Sequence, residues 1–261
     1  VGALRYFQID AFTTELFRGN PAGVCILEND WLPDALMQRI ALENQQSETA
    51  FVLPKGNTFG IRWFSPEVEI DLCGHATLAA AFVIFNELNW SQSSVEFSSQ
   101  SGPLKVARVD DYLELDFPAR PGNPTAAPAI LLEGLGASPS GILKSRDWLF
   151  VFDSEATVRA LQPNFDLLRG IPGAMVIVTA PGQDVDFVSR FFAPSFGIDE
   201  DPVTGSSHCT LIPYWAARLG KNKLRARQVS ARGGELFCEL RGDRVGIGGH
   251  AVKYSSGHLH L

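Results

Sequence analysis

A chain of 261 residues that is 45% hydrophobic can bury one large core or two of ordinary size. Its net charge of -7 argues against nucleic acid or an anionic membrane surface as partner, since either needs a clustered basic face, so any anion site must be local. The opening Val1-Gly2-Ala3-Leu4-Arg5-Tyr6 lacks the charged-then-apolar pattern of a signal peptide, and the apolar run 76–85 is too short to span a bilayer. Cys25, Cys73, Cys209 and Cys238 lack CxxC spacing, which indicates neither zinc nor a disulfide scaffold and leads to the expectation of a soluble cytoplasmic protein with reduced thiols.

Residues 4–12 predict a strand, followed by a turn at Arg18-Gly19-Asn20-Pro21 and a short apolar strand over 24–27. Leu36, Ile40 and Leu42 fall on one face of a helix over 33–43. Residues 48–53 and 59–64 predict paired strands with Gly56-Asn57 in the turn. The segment 76–88 is helical and apolar nearly all round, so it should be buried on every side, wrapped by the strands around it. Three strands are expected within 95–117. The Pro-, Gly- and Ala-rich stretch 118–140 predicts a crossover between lobes.

Beyond it, strands are expected near 148–152, 174–179 and 186–192, with a short helix over 158–168. A second buried helix should run over 206–219, with Pro213 inside it and a stop at Leu219-Gly220. Strands follow in 224–231, 236–240 and 244–247, and the tail 251–261 is expected to return to the first lobe's sheet. The predicted lobes are 1–118, joined by 249–261, and 119–248.

The two halves resemble each other. Arg62-Trp63-Phe64-Ser65-Pro66, then Ile70-Asp71-Leu72-Cys73, recurs as Arg190-Phe191-Phe192-Ala193-Pro194, then Ile198-Asp199-Glu200-Asp201. Gly205-Ser206-Ser207 then answers Gly74-His75-Ala76. The architecture expected is α+β: two β-rich lobes, each curled around an apolar helix whose N-terminus follows a glycine. If the lobes face each other, two helix starts would hold one anion from both sides.

Glu48, within Gln45-Gln46-Ser47-Glu48-Thr49-Ala50-Phe51, opens an apolar strand. Most glutamates are solvated surface acids. In a dry cleft such a group can both take and return a proton, which is what isomerisation at carbon requires. Asp201 occupies the position that Cys73 holds in the other half, so a symmetric two-thiol racemase mechanism is not expected, and Cys73 reads as a spectator or a packed apolar residue. His75 and His208 fall at similar places in the repeats, but the sequence sets no third ligand beside them at metal spacing. A Cys/His nucleophile built on Cys73 or Cys209 stays open. Gly19-Asn20 and Arg227-Gln228 read equally as cleft lining or as a turn and a strand edge. No phosphate-binding glycine motif occurs, which leaves nucleotide binding without support.

Asp10-Ala11-Phe12, Phe17-Arg18-Gly19-Asn20-Pro21-Ala22-Gly23-Val24, Ser47-Glu48-Thr49-Ala50-Phe51, Cys73-Gly74-His75-Ala76-Thr77 and Glu200-Asp201-Pro202-Val203-Thr204-Gly205-Ser206 together resemble the phenazine-biosynthesis PhzF-like proteins, relatives of diaminopimelate epimerase. The resemblance covers nearly the whole chain. It implies the epimerase-type fold of two pseudo-symmetric lobes, a homodimer, and a cofactor-free isomerase that moves a proton on a small carboxylate-bearing substrate. By motif, Glu48 would be the acid/base, with His75, Asp201 and Ser206 as companions. Backbone amides at Gly74-His75 and Gly205-Ser206 would hold the carboxylate. A binding protein without turnover and a thiol-dependent racemase or epimerase are the alternatives.

Overall fold

The structure is a computed structural model that describes residues 2–261. The chain divides into two compact units, Val1–Asp116 with Gly248–Leu261, and Phe117–Ile247. In the first, strands β1 (Ala3–Ala11), β2 (Asn20–Ile26), β3 (Glu48–Lys55) and β4 (Thr58–Phe64) are joined by helix α1 (Asp34–Asn44), which makes the crossover from β2 to β3. The short β5 (Glu69–Ile70) leads to helix α2 (Gly74–Glu87). Three further strands follow: β6 (Ser94–Ser99), β7 (Gly102–Val109) and β8 (Tyr112–Pro118).

The second unit holds β9 (Asn123–Pro124), α3 (Ala129–Leu135), β10 (Gly141–Lys144), β11 (Trp148–Val151), α4 (Glu155–Ala160) and α5 (Phe165–Arg169). It continues with β12 (Val176–Pro181), β13 (Phe187–Phe192), α6 (His208–Leu219), β14 (Lys223–Gln228), β15 (Gly234–Arg241) and β16 (Arg244–Gly249). The last strand, β17 (Ala251–His260), pairs antiparallel along the whole of β1, which is the return of the tail to the first sheet.

The duplication read from Arg62 and Arg190 is written into the strand pairing. In the first unit β1–β2 is antiparallel, β2–β3 parallel, β3–β4 antiparallel, β4–β6 parallel and β6–β7 antiparallel. In the second, β10 through β15 repeat that order, omitting nothing. Each parallel step needs a crossover, which helices supply. Each unit's long apolar helix occupies the second crossover.

α2 has the composition Gly-His-Ala-Thr-Leu-Ala-Ala-Ala-Phe-Val-Ile-Phe-Asn-Glu, and 11 of its residues are buried, Gly74 through Ala81 without a gap. Its small side chains let it sit close against β1, β2 and β3. α6 buries His208 to Ile212, Trp215 and Ala216 against β14 and β15, and Gly220 in the left-handed region ends it as the sequence predicts.

Two boundaries differ from expectation. The single helix predicted over 158–168 is two. Pro163 has no N–H to continue α4, and Asn164 then caps α5 by accepting from the Leu167 N–H at 3.2 Å. α6 begins at His208 rather than 206, because Gly205, Ser206 and Ser207 form tight turns ahead of it. Their carbonyls accept from His208, Cys209 and Thr210 at 3.0, 3.2 and 3.0 Å. The crossover stretch also carries β9 and α3, whose Pro128 start and Gly136 left-handed end are clear signals in retrospect. No helix among the described residues is long and apolar enough to cross a membrane.

Candidate active site

In the first unit three element ends meet. Asn20 begins β2, Glu48 begins β3, and His75 is the second residue of α2. All three are buried, with Asn20 0%, Glu48 7% and His75 4% exposed. Asn20 can take this place only because Gly19 precedes it. Gly19 sits at φ +63°, and a Cβ there would lie 2.1 Å from the Ala11 carbonyl oxygen. That glycine is therefore a fixed requirement of the turn.

The His75 imidazole is held from both nitrogens. Nδ1 lies 3.1 Å from Asn20 Nδ2 and 3.5 Å from Cys73 Sγ. The Ser47 hydroxyl donates to Asn20 Oδ1 at 3.4 Å, which orients that amide. Nε2 lies 3.1 Å from Glu48 Oε2, but neither atom has a partner at hydrogen-bond geometry. The contact is an ion pair off the ring N–H direction. Burial pulls the imidazolium down, but the facing Cys73 and Glu48 groups outweigh it and set His75 well above its ordinary value. Asn20 Nδ2 can only donate, so Nδ1 accepts and the ring proton sits on Nε2, facing the Glu48 carboxylate.

Cys73 is a protonated thiol. Burial, and next the Glu48 charge, push it up to about 11. It is fixed by its backbone role: its carbonyl accepts from the Thr77 N–H at 3.2 Å and the Thr77 hydroxyl at 2.5 Å. We expect iodoacetamide at neutral pH to leave Cys73 unmodified in the folded protein, and Cys73→Ala to keep proton exchange within about tenfold. Rapid alkylation with loss of turnover would restore the thiol mechanism.

Glu48, Cys73 and His75 present donor atoms within 4.8 Å of one another, a third ligand the sequence did not reveal beside His75. Cys73 Sγ faces one ring nitrogen at 3.5 Å and Glu48 Oε2 the other at 3.1 Å. The arrangement suits passage of a proton along a line.

In the second unit, Asp201 and Ser206 stand in the loop ahead of α6. The Asp201 carboxylate accepts from the Thr204 hydroxyl. Gln228, read from sequence as a lining or edge residue, is fully buried and ties this turn together. Its Oε1 accepts from the Thr204 N–H at 2.8 Å, and its Nε2 donates to the Asp201 carbonyl at 2.7 Å. Glu200 accepts two bonds from Arg190, at 2.7 and 2.8 Å, as Glu69 accepts two from Arg62, at 2.7 and 2.7 Å. The repeated arginine therefore fastens the loop before each buried helix. Ser206 accepts at Oγ from Arg146 Nη2 at 3.0 Å, a contact that no motif announced.

His208, the repeat's other histidine, is a core residue. Burial lowers it to about 4, and its Nδ1–H donates to the Thr204 carbonyl at 2.8 Å. Cys209 is likewise buried, its thiol pushed up to about 11 by burial first.

Comparison with known proteins now decides the family. Residues 9–257 match the family described as phenazine biosynthesis-like protein. The chain belongs to that family. Two uncharacterized isomerases of Pseudomonas aeruginosa are 53% and 51% identical to it, each aligned over 99% of both chains. Among solved structures, the PhzF-family phenazine biosynthesis protein of Enterococcus faecalis superposes with a TM-score of 0.96 at 47% identity, covering 100% of each chain. A probable proline racemase from Agrobacterium radiobacter, at 11% identity and a TM-score of 0.66 over 99% of this chain and 93% of its own, shares the fold alone. The fold is thus the diaminopimelate epimerase-like one that the resemblance implied, and similar bacterial relatives are named isomerases.

Proposed function

We propose that this protein is a cofactor-independent isomerase that moves a proton from one carbon to another on a small, carboxylate-bearing, conjugated metabolite. The observation that carries this reading is the buried Glu48–His75 pair at the start of α2. A carboxylate removed from water beside a proton-holding imidazole can accept a proton from an acidic C–H. It can then return it to a carbon elsewhere in the delocalised anion. The C–H electron pair stays in the substrate throughout, so no oxidant, reductant or second substrate is needed.

The backbone N–H groups at Gly74 and His75 begin a helix and have no intrahelical acceptor, which suits them to a carboxylate oxygen. Asp201, Gly205 and Ser206 are assigned to the same substrate on the motif match. The protonated Cys73 thiol weighs against the thiol-dependent alternative. Four free, buried cysteines support a reducing, cytoplasmic setting. A homodimer is the expected assembly, readable by light scattering.

The test is isotopic. Protein treated with a chelator and dialysed should be incubated in heavy water with a metabolite extract enriched in carboxylic acids. One or a few acids should gain carbon-bound deuterium only when the protein is present. Binding of an acid without any isotope gain would make the protein a carboxylate binder instead.

A further inference from the structure

The two buried helices start in different electrostatic company. In the first unit the residue after the starting glycine is His75, and its charged neighbour is the acid Glu48. In the second the answering residue is Ser206, which is bonded by Arg146, itself paired with Asp147. The duplicated scaffold has thus received a carboxylate on one copy and an arginine–aspartate pair on the other.

The cation is built in firmly. Arg146 lies in the turn between β10 and β11, closed by the Ser145 N–H donating to the Asp147 carbonyl at 3.1 Å. The Asp147 carboxylate is 1% exposed, and both its oxygens accept from Arg146: Oδ1 from Nε at 2.8 Å, Oδ2 from Nη2 at 2.9 Å. A buried carboxylate is costly unless paired, so the planar guanidinium is locked in one orientation. Nη2 carries two hydrogens. One goes to Asp147, and the second goes to Ser206 Oγ.

This fixes what Ser206 can do. A hydroxyl that accepts from a guanidinium must turn its own O–H elsewhere, and accepting strengthens it as a donor. Arg120 lies close as well, since it and Arg146 both act on the Cys209 thiol in α6 and the Arg120 N–H donates to the Cys209 carbonyl at 2.8 Å. Asp147 acts on that thiol in the opposite sense, so Arg120 is the cation here that is not offset by Asp147 pairing.

We infer that Arg146, locked by Asp147, is a positioning residue that orients the Ser206 hydroxyl as a donor and makes this loop select a carboxylate over its uncharged analogue. The inference deepens the isomerase reading and rests on its assignment of Ser206 to the substrate.

The experiment follows the backbone amide signals of Ser206 and Ser207 in the full-length protein by NMR, titrating benzoate and, separately, benzamide. Benzoate should move both signals, benzamide should not, and sodium chloride should weaken the benzoate response. The neutral double variant Arg146→Gln with Asp147→Asn leaves no buried unpaired charge and should bind benzoate about 10- to 100-fold more weakly. Arg146→Lys should retain part of the affinity. No response of the wild type, an equal response to benzamide, or wild-type affinity in the neutral double variant would overturn the inference. Failure of the isomerase reading itself would appear as benzoate binding at Ser206 with no carbon-bound deuterium in any acid of the heavy-water experiment.

Discussion

Glu48→Gln should leave a folded protein whose rate of hydrogen exchange at substrate carbon falls by about 10²- to 10⁴-fold, the usual contribution of a positioned acid/base. The amide matches the carboxylate in shape and can still fill the first position of β3 opposite Ala22, so thermal unfolding should change little. What it cannot do is carry a proton away from carbon. A second readout separates chemistry from packing. His75 owes part of its raised titration to the Glu48 charge, so its midpoint, followed by NMR, should drop in the variant. Wild-type exchange with an unmoved His75 would remove Glu48 from the reaction.

A large stability effect lies on the acid side, at His208. In the folded chain it resists protonation down to about 4, whereas unfolded it takes a proton near its ordinary value of 6.5. Between those values the unfolded state binds more protons, so stability is complete above 6.5 and is lost as pH falls toward about 4. The gap corresponds to about 3 kcal/mol at about 1.4 kcal/mol per unit. His75 has the opposite sign: its raised value adds stability that is already full below 6.5 and is lost only as pH rises through its folded value. It therefore does not mask the acid-side loss.

His208→Asn keeps a donor for the Thr204 carbonyl and removes the titration. Comparing urea midpoints at about pH 7 and pH 4.5, the wild type should lose about 2–3 kcal/mol more than the variant. Equal losses would show that His208 does not govern acid unfolding.

Much of this was legible because the signals were local. Apolar residues all round 76–85 require burial, and α2 is buried there. Gly19 and Gly220 mark left-handed positions that few other residues adopt, and both stand where the turn and helix stop were expected. The repeated Arg62 and Arg190 segments stand in two units with one strand-pairing order. What stayed hidden depends on partners distant in sequence. Arg146 is separated from Ser206 by 60 residues and carries no motif. Gln228 reaches back 24 residues to Thr204, and from sequence a buried glutamine looks like any strand-edge amide. Cys73 beside His75 reads as a reactive pair until burial shows the thiol protonated.

The central claim is that a single carboxyl group lifts a proton from one carbon and sets it down on another. The most direct measurement uses substrate deuterated at the carbon that loses its hydrogen, in ordinary water, quenched before one turnover is complete. The account predicts that a measurable fraction of the first product keeps deuterium at the new carbon, because Glu48 returns what it removed before the shielded site exchanges with solvent. First product carrying only solvent hydrogen at that carbon, however early the quench, would contradict it.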